Sequence, residues 1–208
     1  MPDLMNTTFL DRHMRSLALA RECAALGARR RTIVLVTGLN RNEVVRLLFE
    51  EGESPKPGRH PESAEWLYKC NLFTQVEAST FVAMYRRLRA LGLCASESLV
   101  AAFKCYRAQF VAAPRLNFER AFDLTCHTDG IWSCDRVALS LHACVRCGSH
   151  FLSSVYQRGS PSGDCPFCKL LRRYHSDKRV QAYLPERSLV IPSTFRTGCF
   201  ASLLSVNA

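Results

Sequence analysis

A chain of 208 residues is long enough for one domain of ordinary size, or for a helical domain with a small appendage. Its 28 basic residues against 18 acidic ones give a formal net charge of +10, which favours a polyanionic partner or an anionic surface. Apolar runs of the length needed to cross a bilayer are absent, and the N-terminal stretch lacks the apolar core of a signal peptide. A cytoplasmic protein with no membrane partner is therefore expected.

From about Asp11 to Gly130, apolar residues recur at helical spacing between turn residues. Helices are predicted over 11–28, 30–37, 41–51, 63–70, 76–91, 97–112 and 118–129, punctuated by Gly27, Gly38, Gly92, Pro114 and Gly130. The segment from Pro55 to Pro61 cannot be helical and reads as an exposed basic loop. Beyond Gly130 the period changes. Val137, Leu139 and Leu141 alternate with Ala138, Ser140 and His142, and the run from Phe151 to Tyr156 follows, so short strands are expected there. From about Lys178 to Ala208 no period is sustained, and this stretch is left as a mobile tail. The expected class is mostly α. Residues 1–130 form a helical domain with a helix-turn-helix near 30–51, residues 131–177 a small zinc-ribbon-like appendage with short strands, and residues 178–208 the tail.

Cys144-Val145-Arg146-Cys147 and Cys165-Pro166-Phe167-Cys168 make two C-x2-C pairs with seventeen residues between them. Each pair can turn back as a knuckle and offer two sulfurs to one ion, and Gly148 supplies a residue tolerant of positive φ after the first. Four thiolates close a tetrahedral zinc site and leave no position for water, so one structural zinc per chain is expected on Cys144, Cys147, Cys165 and Cys168. Cys23, Cys70, Cys94, Cys105, Cys126, Cys134 and Cys199 show no motif spacing and read as reduced, mostly buried thiols. His127, His142, His150 and His175 read as surface groups or as supports for the metal ligands.

Gly38, Leu39, Val44 and Leu47 have the spacing of a helix-turn-helix, in which Leu39 and Val44 pack on Ile33 and Val34 while Leu47 extends the buried face. Asn40 can cap the second helix and Glu43 can complete a capping box. Arg41, Asn42 and Arg46 then fall outside the apolar stripe, where Arg can pair with guanine and Asn with adenine. Two packed helices joined by a glycine turn would give the same pattern without reading DNA. Arg29, Arg30 and Arg31 fit phosphate contacts or a solvated face. Around the cysteines, Arg146, Arg158, Lys169, Arg172 and Arg173 add positive charge, and Arg172 and Arg173 are taken as DNA contacts. Phe81, Met84, Tyr85, Leu88 and Leu91 form a stripe of helix core, and Arg86, Arg87 and Arg89 fit plain surface charge.

No nucleotide-binding or nucleophile signature occurs, so an enzyme is not expected. His60-Pro61-Glu62 with the second cysteine pair is a poor match to a zinc deaminase, because the parts lie far apart and Cys144 and Cys147 would be abandoned.

Leu26-Gly27-Ala28-Arg29, Leu39-Asn40-Arg41, Gly52 to Gly58, Glu65-Trp66-Leu67, Ala102 to Tyr106, Ala121-Phe122 and the cysteine array together resemble the FlhC family, the zinc-containing subunit of the bacterial flagellar master transcriptional activator. The resemblance covers most of the chain but not the part after about Arg179. It implies a hetero-oligomer with a FlhD-type companion, binding to promoter DNA, help to RNA polymerase at flagellar genes, zinc on the four cysteines and no enzymatic activity. A zinc-ribbon RNA binder and a protein-interaction module without promoter specificity remain the alternatives.

Overall fold

The computed structural model describes residues 8–48, 63–110, 114–155 and 165–183, without the side chains of Leu47 and Tyr183. The expected basic loop at Pro55–Pro61, the end of the helix predicted to reach residue 51, Tyr156, Arg158 and the chain after Tyr183, with Cys199, lie outside these residues. The chain divides into two compact units, residues 1–169 and 170–208.

In the first unit α1 (Phe9–Ala25), α2 (Arg30–Thr37), α3 (Arg41–Leu48), α4 (Trp66–Lys69), α5 (Leu72–Ala90), α6 (Ala95–Gln109) and α7 (Phe118–Asp129) precede β1 (Leu139–Ala143) and β2 (His150–Ser154). Helix α8 (Pro166–Tyr174) crosses the boundary between the units, and α9 (Lys178–Tyr183) lies in the second. Residues 178–183, expected to belong to a mobile tail, are thus helical.

Caps move the helix starts away from where periodicity alone put them. Thr8 accepts the Asp11 N–H at 3.2 Å while the Asp11 carboxylate accepts the Thr8 N–H at 3.1 Å, so α1 begins at Phe9. Asn71 accepts the Thr74 N–H at 2.9 Å, which starts α5 four residues before the expected 76. Asn117 caps α7 in the same way, and Gly130 ends it at φ +66°. A Cβ on Gly130 would sit 3.1 Å from the Val137 backbone nitrogen, so the chain passes too close for another residue.

Helices α5, α6 and α7 enclose the core. The ring centroids of Phe81 and Phe103 lie 6.5 Å apart and those of Phe103 and Phe118 5.2 Å apart, both edge to face. Of the expected stripe on α5, Phe81 and Tyr85 are buried and Met84 and Leu88 pack on the core, while Leu91 at the helix end is 58% exposed. Glu77 is fully buried. Its carboxylate accepts the Tyr106 hydroxyl and, at 2.8 Å, the Arg115 N–H, with Arg115 Nε 3.5 Å away.

Strands β1 and β2 pair antiparallel with Leu141 opposite Leu152. Leu139 and Leu152 belong to the main core, and the Leu152 N–H donates to Ser79 Oγ of α5 at 3.1 Å. The small strand pair is therefore anchored to the helical body while its far end carries the cysteines.

Candidate metal centre and DNA-facing helices

The turn after β1 forms the first knuckle. Cys144 N–H donates to Ser149 O at 2.9 Å and Gly148 N–H to Cys144 O at 2.8 Å, with Gly148 at φ +71° as its turn requires. The second knuckle opens a helix rather than a further strand. Pro166 occupies the first position of α8, where its missing N–H costs nothing, and Cys165 Sγ accepts the Cys168 N–H at 3.2 Å as a capping side chain would.

These two turns bring all four sulfurs within 4.8 Å of one another. Cys147 and Cys165 are 3.5 Å apart, and Cys144 and Cys168 3.8 Å, both too far for a disulfide. Sulfurs placed tetrahedrally at about 2.3 Å from an ion would be about 3.8 Å from each other, so the spacing fits such a group. Phe151 is buried beside the cluster and Phe167 packs on it. Among the described residues this is the one group of three or more histidine, cysteine or acidic side chains arranged to hold a metal ion.

The four thiols do not ionise alike. The Ser149 hydroxyl and backbone hold Cys147 down to about 6, and Cys144 is lowered by the backbone N–H groups of Cys147 and Arg146. Cys168 is pushed up to about 12 by the neighbouring sulfurs, Cys165 first, and burial raises Cys165. Four thiolates this close repel, and a cation removes that obstacle.

Among the described residues no histidine joins the cluster. His127 is buried in α7, 3.4 Å from Cys134 Sγ through Nδ1 and 3.5 Å from Asp123 through Nε2, which corrects its reading as a surface group or a support for the metal ligands. Among the scattered cysteines, Cys23 and Cys126 are buried, but Cys94 and Cys105 are exposed, so that group is less buried than expected.

Helices α2 and α3 make the helix-turn-helix expected near 30–51, and α1 packs on both. Gly38 caps α2 at φ +71°, with its N–H on Val34 O at 2.9 Å. Ile33, Leu39 and Val44 are buried and Val34 packs on them; the Leu47 side chain lies outside the described positions. Arg41, Asn42 and Arg46 are all exposed. Asn42 and Arg46, four apart, share the face opposite Val44, whereas Arg41, three before Val44, is exposed in the first turn on the side of the buried stripe. Asn40 Oδ1 accepts the Asn42 N–H at 3.0 Å, as expected of a cap, but Glu43 does not reach back to it. Its carboxylate meets His13 Nε2 of α1 at 3.2 Å and so ties the first turn of α3 to its neighbour.

A second tie was invisible in the sequence. Arg29, the residue before α2, has no side-chain cap of its own to offer, and Glu119 of α7 takes that place. Its carboxylate accepts the Arg29 N–H at 2.7 Å and the Thr32 hydroxyl at 2.9 Å. Arg86 and Arg89 of α5 lie against Asp129 at 3.0 and 3.4 Å, so they are structural ion pairs and not open surface charge. Arg172 and Arg173 are exposed in the last turn of α8.

Sequence comparison decides the family. A family described as the flagellar transcriptional activator FlhC matches residues 5–181. The chain belongs to the FlhC family. The flagellar transcriptional regulator FlhC of Paraburkholderia atlantica is 29% identical over 182 residues, covering 85% of this chain and 80% of that protein. Its counterpart in Serratia marcescens is 30% identical over 149 residues, with 69% and 73% covered, and that of Proteus mirabilis 26% over 180 residues, with 86% and 91% covered. This FlhC-family chain is a flagellar transcriptional regulator of activator type, from a family of regulators and not of enzymes. Among the described residues no helix is long and apolar enough to cross a membrane.

Proposed function

We propose that this chain is the promoter-reading subunit of a cytoplasmic flagellar activator, working in a hetero-oligomer with a FlhD-type companion and helping RNA polymerase start transcription. The observation that carries the DNA reading is the exposed polar face of α3, with Asn42 and Arg46 together and Arg41 exposed in its first turn, which Asn40 caps and Glu43 ties to α1. Arginine there can pair bidentately with guanine and asparagine with adenine in a major groove. Arg172 and Arg173 would meet phosphates, which fixes position without reading sequence.

Cys144, Cys147, Cys165 and Cys168 would hold one zinc ion in this proposal. With four protein ligands the ion supplies folding free energy and leaves no open position for a reacting water. Functionally, residues 1–130 dock the companion and read DNA, and residues 131–177 form the metal-stapled segment. The RNA-binding alternative wants exposed aromatic faces on the strands, and Phe151, the aromatic of β2, is buried.

A gel shift on flagellar promoter DNA, with and without the companion, tests this reading. Arg41→Ala or Asn42→Ala should cost about 1–3 kcal/mol on the promoter site and far less on random DNA, with the helix content unchanged by circular dichroism. Equal losses on both DNAs would remove α3 as the reading head.

A further inference from the structure

Around the corner that joins α8 to α9 the chain carries Arg172, Arg173, His175, Lys178 and Arg179, and among residues 170–183 the one carboxylate is that of Asp177. That carboxylate is committed to the backbone, accepting the Arg179 N–H at 2.9 Å. The corner is folded. Arg173 O accepts the N–H groups of Ser176 at 3.1 Å and Asp177 at 2.8 Å, and Gln181 Nε2 donates to Tyr174 O at 2.8 Å. Val180 of α9 is buried.

Among the described residues no carboxylate lies within ion-pair distance of Arg173, Lys178 or Arg179, and all three side chains are exposed. Several cations of the helical body do have a carboxylate, although Arg30, Arg31 and Arg87 have none among the described residues. Arg86 and Arg89 share Asp129, Arg29 faces Glu119, Arg115 faces Glu77 and Lys104 faces Glu22. Like charges held together on a folded backbone repel, and the repulsion is relieved where an anion is bound.

We propose that this corner is a second DNA site, gripping the phosphate backbone through Arg173, Lys178 and Arg179 without reading bases. It rests on the DNA-binding reading above and extends it to α9, beyond the two arginines of α8. A guanidinium or ammonium neutralises a phosphate on any sequence, so the site adds affinity and salt dependence but no preference. An anionic membrane is the poorer match, because Leu171 is the one large exposed apolar side chain among the described positions of this segment.

The test is fluorescence anisotropy of the full chain, co-purified with its companion, on a flagellar promoter duplex and a random duplex of equal length. Each lost phosphate contact removes about 0.9 from the slope of log affinity against log salt. The double variant Lys178→Gln with Arg179→Gln should therefore flatten the slope by about two. The affinity loss between about 50 and about 200 mM salt should shrink by about tenfold on both duplexes. Preference for the promoter should stay as it was. Lys178→Arg with Arg179→Lys should keep the original slope, which a purely structural role for these side chains would not predict. An unchanged slope in the glutamine variant overturns the site, and so does a loss confined to the promoter duplex. Intact DNA binding with lost recruitment of RNA polymerase would assign the corner to an acidic protein surface and overturn it too. If the unmodified complex binds neither duplex, the DNA reading itself has failed.

Discussion

Glu119 should hold the helix-turn-helix to the body, and Glu119→Ala tests how much. The carboxylate is 12% exposed and receives two hydrogen bonds from the start of α2, at 2.7 Å from Arg29 N–H and 2.9 Å from Thr32 Oγ1. A hydrogen bond to a charged acceptor contributes about 1.5–3 kcal/mol, and two that share one carboxylate add to less than their sum, so about 2–4 kcal/mol should be lost. That is a large part of the roughly 5–15 kcal/mol by which a domain is stable. Glu119→Gln keeps the shape and one acceptor and should cost only about 1 kcal/mol.

Urea unfolding of the full chain measures the total, and amide hydrogen exchange locates it. Exchange should quicken at Arg29 to Thr37 and at Leu39 to Leu48, because α3 hangs on α2 through Ile33, Leu39 and Val44, while α5 and α6 should stay protected. A loss below about 0.5 kcal/mol with unchanged exchange over α2 would show that the apolar contacts alone seat the module and that the carboxylate is incidental.

Ser79→Ala should loosen the strand pair by about 1–3 kcal/mol, since it strips a buried acceptor from the Leu152 N–H; faster exchange at Leu152 with α5 unaffected is the readout. Zinc should be present at one ion per chain, and a chelator should expose β1, β2 and the start of α8 to proteolysis first; metal-free protein with an unchanged digestion pattern would count against a structural ion. Metal affinity should fall as pH falls, because the raised thiols of Cys165 and Cys168 must each give up a proton to bind, and the fall should steepen below about 6, where Cys147 takes a proton as well. Competition against a chromophoric chelator from about pH 5 to about 8 gives the curve, and an affinity flat in pH would contradict four-thiolate ligation.

The features legible in the sequence are those written in short spacings. The C-x2-C pairs, the run from Gly38 to Val44 and the stop of α7 at Gly130 each span a few residues, and each is found where the spacing put it. Where a cap competed with periodicity, the cap decided the boundary, as Thr8 did for α1 and Asn71 for α5. Helix α8 was missed because a proline inside a cysteine pair reads as a turn, although at the first position of a helix it fits. Helix α9 was missed because six residues are too few to show a period, and its ends are set by Asp177 and by Gln181 reaching back to Tyr174.

Charge was the least legible property, for a reason of distance. Arg29 meets Glu119 ninety residues on, Arg86 and Arg89 meet Asp129 across 43 and 40, and the Arg115 N–H meets Glu77 across 38. No window along the chain contains both partners, so the arginines of 29–31 and 86–89 look alike in sequence although several are structural ion pairs. A net charge of +10 therefore says that a polyanion is favoured and nothing about where it binds. Folding makes the distinction by subtraction. Once the long-range pairs are formed, Arg41 and Arg46 on α3 and Arg173, Lys178 and Arg179 at the α8–α9 corner remain among the exposed cations with no carboxylate partner in the described residues. Both groups carry an exposed amide, but Gln181 of the second is engaged with Tyr174 O, whereas the Asn42 side chain has no hydrogen-bond partner among the described residues. A site built to discriminate bases needs such a directional donor and acceptor, whereas one built to hold phosphates needs only charge, and that difference is why α3 is proposed to read and the corner to grip.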